Sequence, residues 1–375
     1  MRLVFICGSL APGRDGVGDY TRRLARSCVE LGHACLLVSL CDVVDEDCEA
    51  DGLQFIRRRN SLNASAEEQA TLQTAITQWQ PDWYSLQFVC FAFHPKGFVG
   101  TLFTFLKDLP DTAQRHIMFH ELWVRQAPSM PFKLRILGLL QRRQILSAIK
   151  RWQPKQCHTS NALYRELLAD NNIASKELPL FGNIPIDTTS KQSVTELLGQ
   201  RSQPRRERIV IVPFSQLDRW EVHAAMKRLH QLATAADVSL HLVQVGRDRN
   251  GEARWAHIAQ RCEQWGWRCD QLGPQDATTI SQLMQHANLG MNSTHIQMCQ
   301  KSGAVLSMRE HGLPVLCAGI TPESRRQLTR PENGALFSIN DSDTTLIELL
   351  KRPKKHPLES NQIAIVKQFI SELAL

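Results

Sequence analysis

The feature that most constrains this chain is an alternation: short, unbroken apolar runs separated by amphipathic stretches, in both halves of the sequence. Leu3–Cys7 (LVFIC) is such a run and ends at Gly8. Runs of this kind suit strands buried on both faces of a parallel sheet, since an exposed face would call for a polar residue at every second position. Asp19–Leu31 then carries apolar or small residues at 20, 24, 25, 28, 29 and 31, a helical face that stops at Gly32. Ala34–Leu40, Trp83–Phe88, His116–Phe119 and Gln156–Thr159 continue the strands, and Glu67–Trp79 forms a helix ending before Pro81.

A polar stretch, Asp187–Arg208, interrupts the pattern, which then restarts. Strands are expected at Ile209–Val212, Leu240–Val245, Arg268–Leu272, Leu289–Met291 and Pro314–Cys317. Between them fall helices Glu221–Ala235, Ala253–Gly266, Thr278–His286 and Gly303–His311, with a last helix from about Ser360 to Leu373. Two such series predict an α/β chain of two doubly wound, Rossmann-like domains facing a central cleft. At 375 residues, a length of roughly 150 residues per domain agrees with two. A hydrophobic share of 43% with 22% charged residues excludes a disordered, collagen-like or low-complexity chain.

Lys and Arg exceed Asp and Glu by 44 − 37 = 7, which suits an anionic partner: a phosphorylated small molecule, nucleic acid or an acidic membrane surface. The basic residues cluster as Arg57–Arg59, Arg205-Arg206 and Lys351–Lys355, read as solvated patches, and no nucleic-acid module is recognised. Eleven cysteines, an odd number without a C-x-x-C pair, match no zinc site and predict a reducing, cytoplasmic setting. LVFIC reads as a strand rather than a signal segment, and no window approaches ~18 uninterrupted apolar residues.

Two glycine-containing loops could cradle an anion. Gly8 and Gly13 have P-loop spacing, but Arg14-Asp15 stand where that motif needs Lys and a hydroxyl, and Asp15 would repel phosphate. Gly16-Val17-Gly18 is followed by Thr21 where the dinucleotide fingerprint needs its third Gly; the expectation is a loop reaching into the interdomain cleft. The second cluster is Lys301-Ser302-Gly303-Ala304. Ser302 can cap the next helix and Lys301 adds a charge beside the positive end of its dipole. Backbone N–H groups, a hydroxyl and an ammonium then converge where a diphosphate could sit. His120-Glu121 follows a predicted strand, at the sheet edge where ligands gather.

Taken in order, Gly16-Val17-Gly18-Asp19-Tyr20, Leu86-Gln87-Phe88, Phe119-His120-Glu121-Leu122, Thr159-Ser160-Asn161, the Pro179–Pro185 segment with Gly182-Asn183, Leu272-Gly273, Ala287–Gly290, Lys301–Gly303 and Gly312–Pro314 resemble family 4 glycosyltransferases with the GT-B architecture. The resemblance implies sugar transfer, of the hexosyltransferase type, from a nucleotide diphosphate sugar with retention at the anomeric carbon. No metal and no cofactor beyond that co-substrate are implied. It implies an acceptor-side domain over 1–183, a donor domain over 184–358 and a C-terminal helix, 359–375, crossing back to the first. Donor contacts would fall to Gly16, Val17, Arg219, Lys301, Ser302, Gly303 and Ala304. His120 would point towards the transferred sugar, and Glu121 would orient it or touch the acceptor.

The chain also departs from the family. Many members place two Glu with seven residues between them ahead of the G-x-P turn; the matching positions here are Cys299 and Ser307, and Glu310 is out of register. Two Asp-x-Asp stretches, Asp45–Asp47 and Asp341–Asp343, are read as solvated loops rather than metal sites. A non-catalytic protein binding nucleotide-sugar or glycan, or a sugar-nucleotide epimerase, remains an alternative. The acceptor, whether glycan, lipid-linked or small molecule, is not named by the sequence. The basic stretch Phe132–Trp152 reads either as a helix packed on its sheet with a wet basic face or as a peripheral contact with the inner membrane face.

Overall fold

The computed structural model describes residues 1–124, 131–188, 208–214, 220–246, 252–319, 335–356 and 360–375. They form two compact units: Met1–Leu180 with Asn361–Leu375, and a second within Phe181–Ser360.

The first unit is built on strands β1 (Arg2–Cys7), β2 (Ala34–Ser39), β3 (Glu46–Ala50), β4 (Leu53–Arg57), β5 (Trp83–Phe88), β6 (Gln114–Phe119), β7 (Gln156–Thr159) and β8 (Lys176–Glu177), in the order β3-β4-β2-β1-β5-β6-β7-β8. All neighbours pair in parallel except β3 with β4. Leu3 through Cys7 are fully buried, as an apolar run at the centre of a doubly covered sheet must be. The helices are α1 (Gly16–Glu30), α2 (Ala66–Gln78), α3 (Cys90–Phe93), α4 (Gly100–Lys107), α5 (Phe132–Trp152) and α6 (Ala162–Ala169).

Three expectations are corrected here. First, α1 starts at Gly16, not Asp19, because Asp15 caps it by accepting from the Val17 amide at 3.1 Å. Second, Asp45–Asp47, expected in a loop, run into β3 of an antiparallel edge hairpin, which hydrophobic patterning does not reveal because every residue of β3 is exposed. Its two-residue turn, Asp51-Gly52, has positive φ at both positions (56° and 73°), the geometry for which Asp-Gly is favoured. Third, Arg57–Arg59 are not a free basic patch. Arg57 pairs with Asp42 and Glu46, Arg58 with Asp47 and Arg59 with Asp45. Glu46 and Asp47 of β3 are thereby paired, and a charged edge resists pairing with another sheet. Arg205-Arg206 lie outside the described residues, as does most of the polar stretch around them.

In α5 the C-terminal half packs through Ile145, Ala148, Ile149 and Trp152. The N-terminal half instead leaves Phe132 72% exposed, with Leu134, Ile136, Leu139 and Leu140 also exposed. Among the described residues, no helix is long and apolar enough to cross a membrane.

The second unit contains β9 (Arg208–Pro213), β10 (Ser239–Val245), β11 (Arg268–Gly273), β12 (Leu289–Asn292), β13 (Val315–Cys317) and β14 (Leu336–Ser338), ordered β11-β10-β9-β12-β13-β14 and parallel throughout. Its helices are α7 (Trp220–Ala236), α8 (Glu252–Gln264), α9 (Ala277–His286), α10 (Gly303–Glu310) and α11 (Asp343–Lys351). Successive residues of β9 enter different cores: Ile209 and Ile211 pack with Leu229, Ile258 and Leu349, and Val210 and Val212 with Leu283, Val305 and Met308. Side chains alternate across a strand, so both faces of this sheet are covered.

The last helix, α12 (Gln362–Leu373), belongs to the first unit. Phe369 is fully buried, its ring centroid 6.0 Å from that of Phe5 and 5.2 Å from that of His116. Gln362 donates to Ser27 on α1 at 2.9 Å. Phe369→Ala should therefore cost about 3–5 kcal/mol, the range for truncating a buried aromatic. Urea unfolding would show this as a lower midpoint at an unchanged slope.

Candidate functional site

In a doubly wound sheet, ligands collect beyond the C-terminal ends of the strands, where the strand order reverses. In the first unit the reversal lies between β1 and β5, and in the second between β9 and β12. The sequence-predicted residues fall into two groups at these edges.

The first group surrounds the loop after β1. Asp42, 6% exposed, organises that loop. Its carboxylate accepts from the Leu10 amide (2.9 Å), the Ser9 hydroxyl (3.1 Å), the Ser39 hydroxyl (2.6 Å), the Val43 amide (2.7 Å) and both Nε and Nη2 of Arg57 (3.0 and 3.1 Å). Burial alone would raise this carboxyl, but the hydrogen bonds from Arg57, Ser39, Leu10 and Val43 outweigh it and hold Asp42 well below the usual carboxylate range. Sequence reading missed Asp42; an acid just past a buried strand looks like any loop residue.

Gly16 and Val17 open α1 at the other end of that loop. The Val17 amide is taken by Asp15, and Asp19 accepts from the Gly13 amide at 3.0 Å. Gly18 is required by packing: a Cβ there would lie 2.1 Å from the Ser9 carbonyl oxygen. Tyr20, on the same helix, sets its ring edge-on to His120 with centroids 5.1 Å apart.

His120 follows β6 and is buried. Its amide donates to the Phe88 carbonyl at 3.1 Å, and its Nε2 lies 3.0 Å from Gln87 Oε1 at the end of β5. Glu121 is half-buried, with its amide directed at the same Phe88 carbonyl (3.4 Å). Its charge adds to the burial that pushes the Cys90 thiol up to about 12. The structure thus brings His120 together with Tyr20 and Gln87, neither of which was singled out as a site residue.

The second group lies after β12. A 3₁₀ turn, Ile296–Lys301, leads into Ser302, whose hydroxyl accepts from the Val305 amide at 3.3 Å and so caps α10. Lys301, Ser302, Gly303 and Ala304 are each half-buried and reach solvent. Asn183 packs closely on Gly303; a Cβ there would lie 2.5 Å from Asn183 Oδ1 and displace that side chain. Arg219 lies outside the described residues.

The positions at which relatives of the resembled family carry paired Glu are put to structural use. Ser307 is fully buried; its hydroxyl accepts from the Ile184 amide (3.1 Å) and donates to the Gly303 carbonyl (2.7 Å). Cys299 is buried with its sulfur 3.2 Å from that of Cys317. Glu310 accepts from the Gly182 amide at 2.9 Å. The two Asp-x-Asp stretches are also engaged locally: Asp45 and Asp47 with Arg59 and Arg58, Asp343 with Arg228, and Asp341 with the Ser338 amide.

No family model and no curated protein matches the chain. Solved structures match its fold over the full length. The catalytic domain of starch synthase IV from Arabidopsis thaliana, bound to ADP and acarbose, superposes with a TM-score of 0.63 at 10% identity, covering 100% of this chain and 99% of that one. Anabaena HepE in complex with UDP and glucose gives 0.62 at 15% identity, covering 100% and 99%. The UDP-GlcNAc 2-epimerase of Methanocaldococcus jannaschii gives 0.56 at 9% identity, again covering 100% and 99%. The chain therefore has the GT-B fold, with two Rossmann-like parallel-sheet domains.

Because the Asp42 carboxyl is depressed in the folded state, its stabilising contribution is fully present above the unfolded value of ~4 and is lost as the pH falls through the folded value. Asp42→Asn should destabilise the protein at neutral pH by about 3 kcal/mol, as expected when one partner of a buried pair is removed. Chemical denaturation of both proteins should show the gap narrowing below pH ~4.

Proposed function

We propose that the chain is a glycosyltransferase of the hexosyltransferase type, moving a sugar from a nucleotide diphosphate sugar with retention at the anomeric carbon. The observation that carries this reading is the Ser302-capped start of α10, with Lys301 beside it, at the strand-order reversal of the second sheet. A departing diphosphate gains negative charge, and preorganised donors stabilise it most where little water intervenes. In this reading Lys301, the amides of Gly303 and Ala304, and Arg219 meet that charge without a metal ion. Gly16 and Val17 border the donor site, and His120 and Glu121 serve the transferred sugar. The nucleotide-bound GT-B neighbours from Arabidopsis and Anabaena support a nucleotide-sugar donor.

The epimerase among the neighbours supports a second reading: an enzyme that epimerises its nucleotide sugar. The two readings separate cleanly. Thermal shift against UDP, GDP, ADP and CMP identifies the base, after which the matching nucleotide sugar is incubated with and without acceptors. Transfer requires acceptor; epimerisation forms its product without one. Lys301→Ala and Arg219→Ala should each slow turnover by about 10-fold or more. Unchanged rates in both would remove this site assignment.

The exposed half of α5 supports a peripheral contact with anionic lipid. Phe132, Leu134, Ile136, Leu139 and Leu140 alternate there with exposed Lys133, Arg135 and Arg143, and the helix contains no acid. Beside it lies a groove of about 460 Å³ lined by Phe98, Leu140, Arg143, Gln144, Ser147 and Arg151. Each basic residue near an anionic surface contributes about 1 kcal/mol. The protein should co-sediment with phosphatidylglycerol vesicles but not with phosphatidylcholine vesicles, and Lys133→Glu with Arg135→Glu should release it. Equal recovery from both lipids would argue against this contact.

A further inference from the structure

Five hydrogen bonds run in one unbroken row from His120 to the C-terminal helix. His120 Nε2 lies 3.0 Å from Gln87 Oε1, Gln87 Nε2 2.9 Å from Ser85 Oγ, and Ser85 Oγ 2.8 Å from His116 Nδ1. His116 Nε2 lies 3.0 Å from His158 Nδ1, and His158 Nε2 2.5 Å from Glu372 Oε2 on α12. Ser85, Gln87, His116 and His158 are completely buried, whereas Glu372, 16% exposed, reaches solvent. Such a row is unusual in a sheet interior, where each polar group must find a partner or cost stability.

Its polarity is decided at the Glu372 end. Burial would raise that carboxyl, but the hydrogen bonds from His158 and Gln368 and the charge of Lys176, 3.7 Å away, outweigh it and hold it low. Burial, in His116 reinforced by its imidazole neighbours, pushes both His116 and His158 below the ordinary imidazole value, so each ring carries one proton. An ionised carboxylate only accepts, so His158 bears its proton on Nε2 and accepts at Nδ1 from His116 Nε2–H. The Gln156 amide nitrogen lies 3.1 Å from His158 Nε2, but as two N–H donors cannot pair, it donates to the same carboxylate, at 3.5 Å, and not to the ring. His116 Nδ1 must then accept from the Ser85 hydroxyl. With its proton used, Ser85 accepts from the Gln87 amide nitrogen, which turns Gln87 Oε1 towards His120. That oxygen can only accept, so His120 carries its proton on Nε2. Every step follows from the one before.

We propose that this row is a positioning relay that holds His120 in its Nε2–H tautomer, which makes Nδ1 the accepting atom of the ring, the role a sugar hydroxyl calls for. Gln87, Ser85, His116, His158 and Glu372 are positioning residues that act through His120 and touch no substrate. A ring held in this way takes a proton donor and offers no N–H at Nδ1 to a phosphate oxygen. The inference deepens the reading of His120 as a site residue and rests on that reading for its consequence in turnover. The tautomer itself can be measured without any activity.

The test is ¹⁵N NMR of protein labelled at histidine, with the His120 signals assigned by their loss in His120→Asn. His120 should show a protonated Nε2 and an unprotonated Nδ1. Gln87→Leu should convert it to a mixture of tautomers, and Glu372→Ala should shift it the same way to a smaller extent. Glu372→Gln, whose carbonyl still accepts from His158, should restore the wild-type signals. In transfer assays Gln87→Leu should lower kcat about 10-fold with the donor KM nearly unchanged, as loss of a fixed tautomer predicts. A protonated Nδ1 in the wild type would overturn the relay, as would unchanged His120 signals in both Gln87→Leu and Glu372→Ala. Should Gln87→Leu not fold, Glu372→Ala, at the surface, decides alone. If the wild type turns over no nucleotide sugar, the functional reading fails while the tautomer still judges the relay.

Discussion

Burial of β1 and β5 on both faces is the constraint from which the first unit follows. Leu3 through Cys7 and all of Trp83–Phe88 are buried, so helices must cover the sheet above and below. Parallel strands also require a crossover after each strand. The consequence is directional: the C-terminal ends of the parallel strands lie along one edge, and there the chain leaves the sheet with its amides and side chains available. His120 after β6 and the Gly8–Asp15 loop after β1 owe their places to this. In the second unit the same reasoning places Lys301–Ala304 after β12.

Burial also disciplines the polar groups. Asp42 is surrounded by donors, and Ser85, Gln87, His116 and His158 satisfy one another across three adjacent strands. In the second unit a comparable set receives the incoming chain. Glu310, Ser307 and Ser281 accept from the amides of Gly182, Ile184 and Asp187, and His311 hydrogen-bonds Ser281 at 2.8 Å. Where the resembled family places a carboxylate, this chain has a serine that fastens its own backbone. That exchange, from binding a ligand to holding a neighbouring segment, is the clearest chemical departure in the molecule.

Much of the architecture was legible because long apolar runs and helical stripes report burial directly. Leu3–Cys7 and Leu240–Val245 were readable for that reason. Glu46–Ala50 was not, because an exposed, charged edge strand has no apolar signature; only Asp51-Gly52 marked the hairpin. Lys176–Glu177 and Leu336–Ser338 are too short to show a period. The start of α1 was misplaced because its apolar stripe begins at Tyr20, whereas Asp15 sets the first turn by capping. Ser302 was legible as a cap because capping is local in sequence. Asp42 was not, since Leu10 and Arg57 lie 32 and 15 residues away. The row through Gln87, His116 and His158 depends on strand register, with Ser85 opposite His116 and Met118 opposite His158, and no linear pattern announces that.

The placement of α12 has a consequence for how the protein is made. Phe5 leaves the ribosome well before Phe369, which packs against it, and the whole second unit is translated between them. Domains tend to fold as they emerge, yet this first unit must wait through translation of the entire second one before its sheet is closed. During that interval Phe5, His116 and His158 lack the cover that Phe369 provides. Until α12 emerges, the nascent first unit therefore carries an unfinished apolar surface.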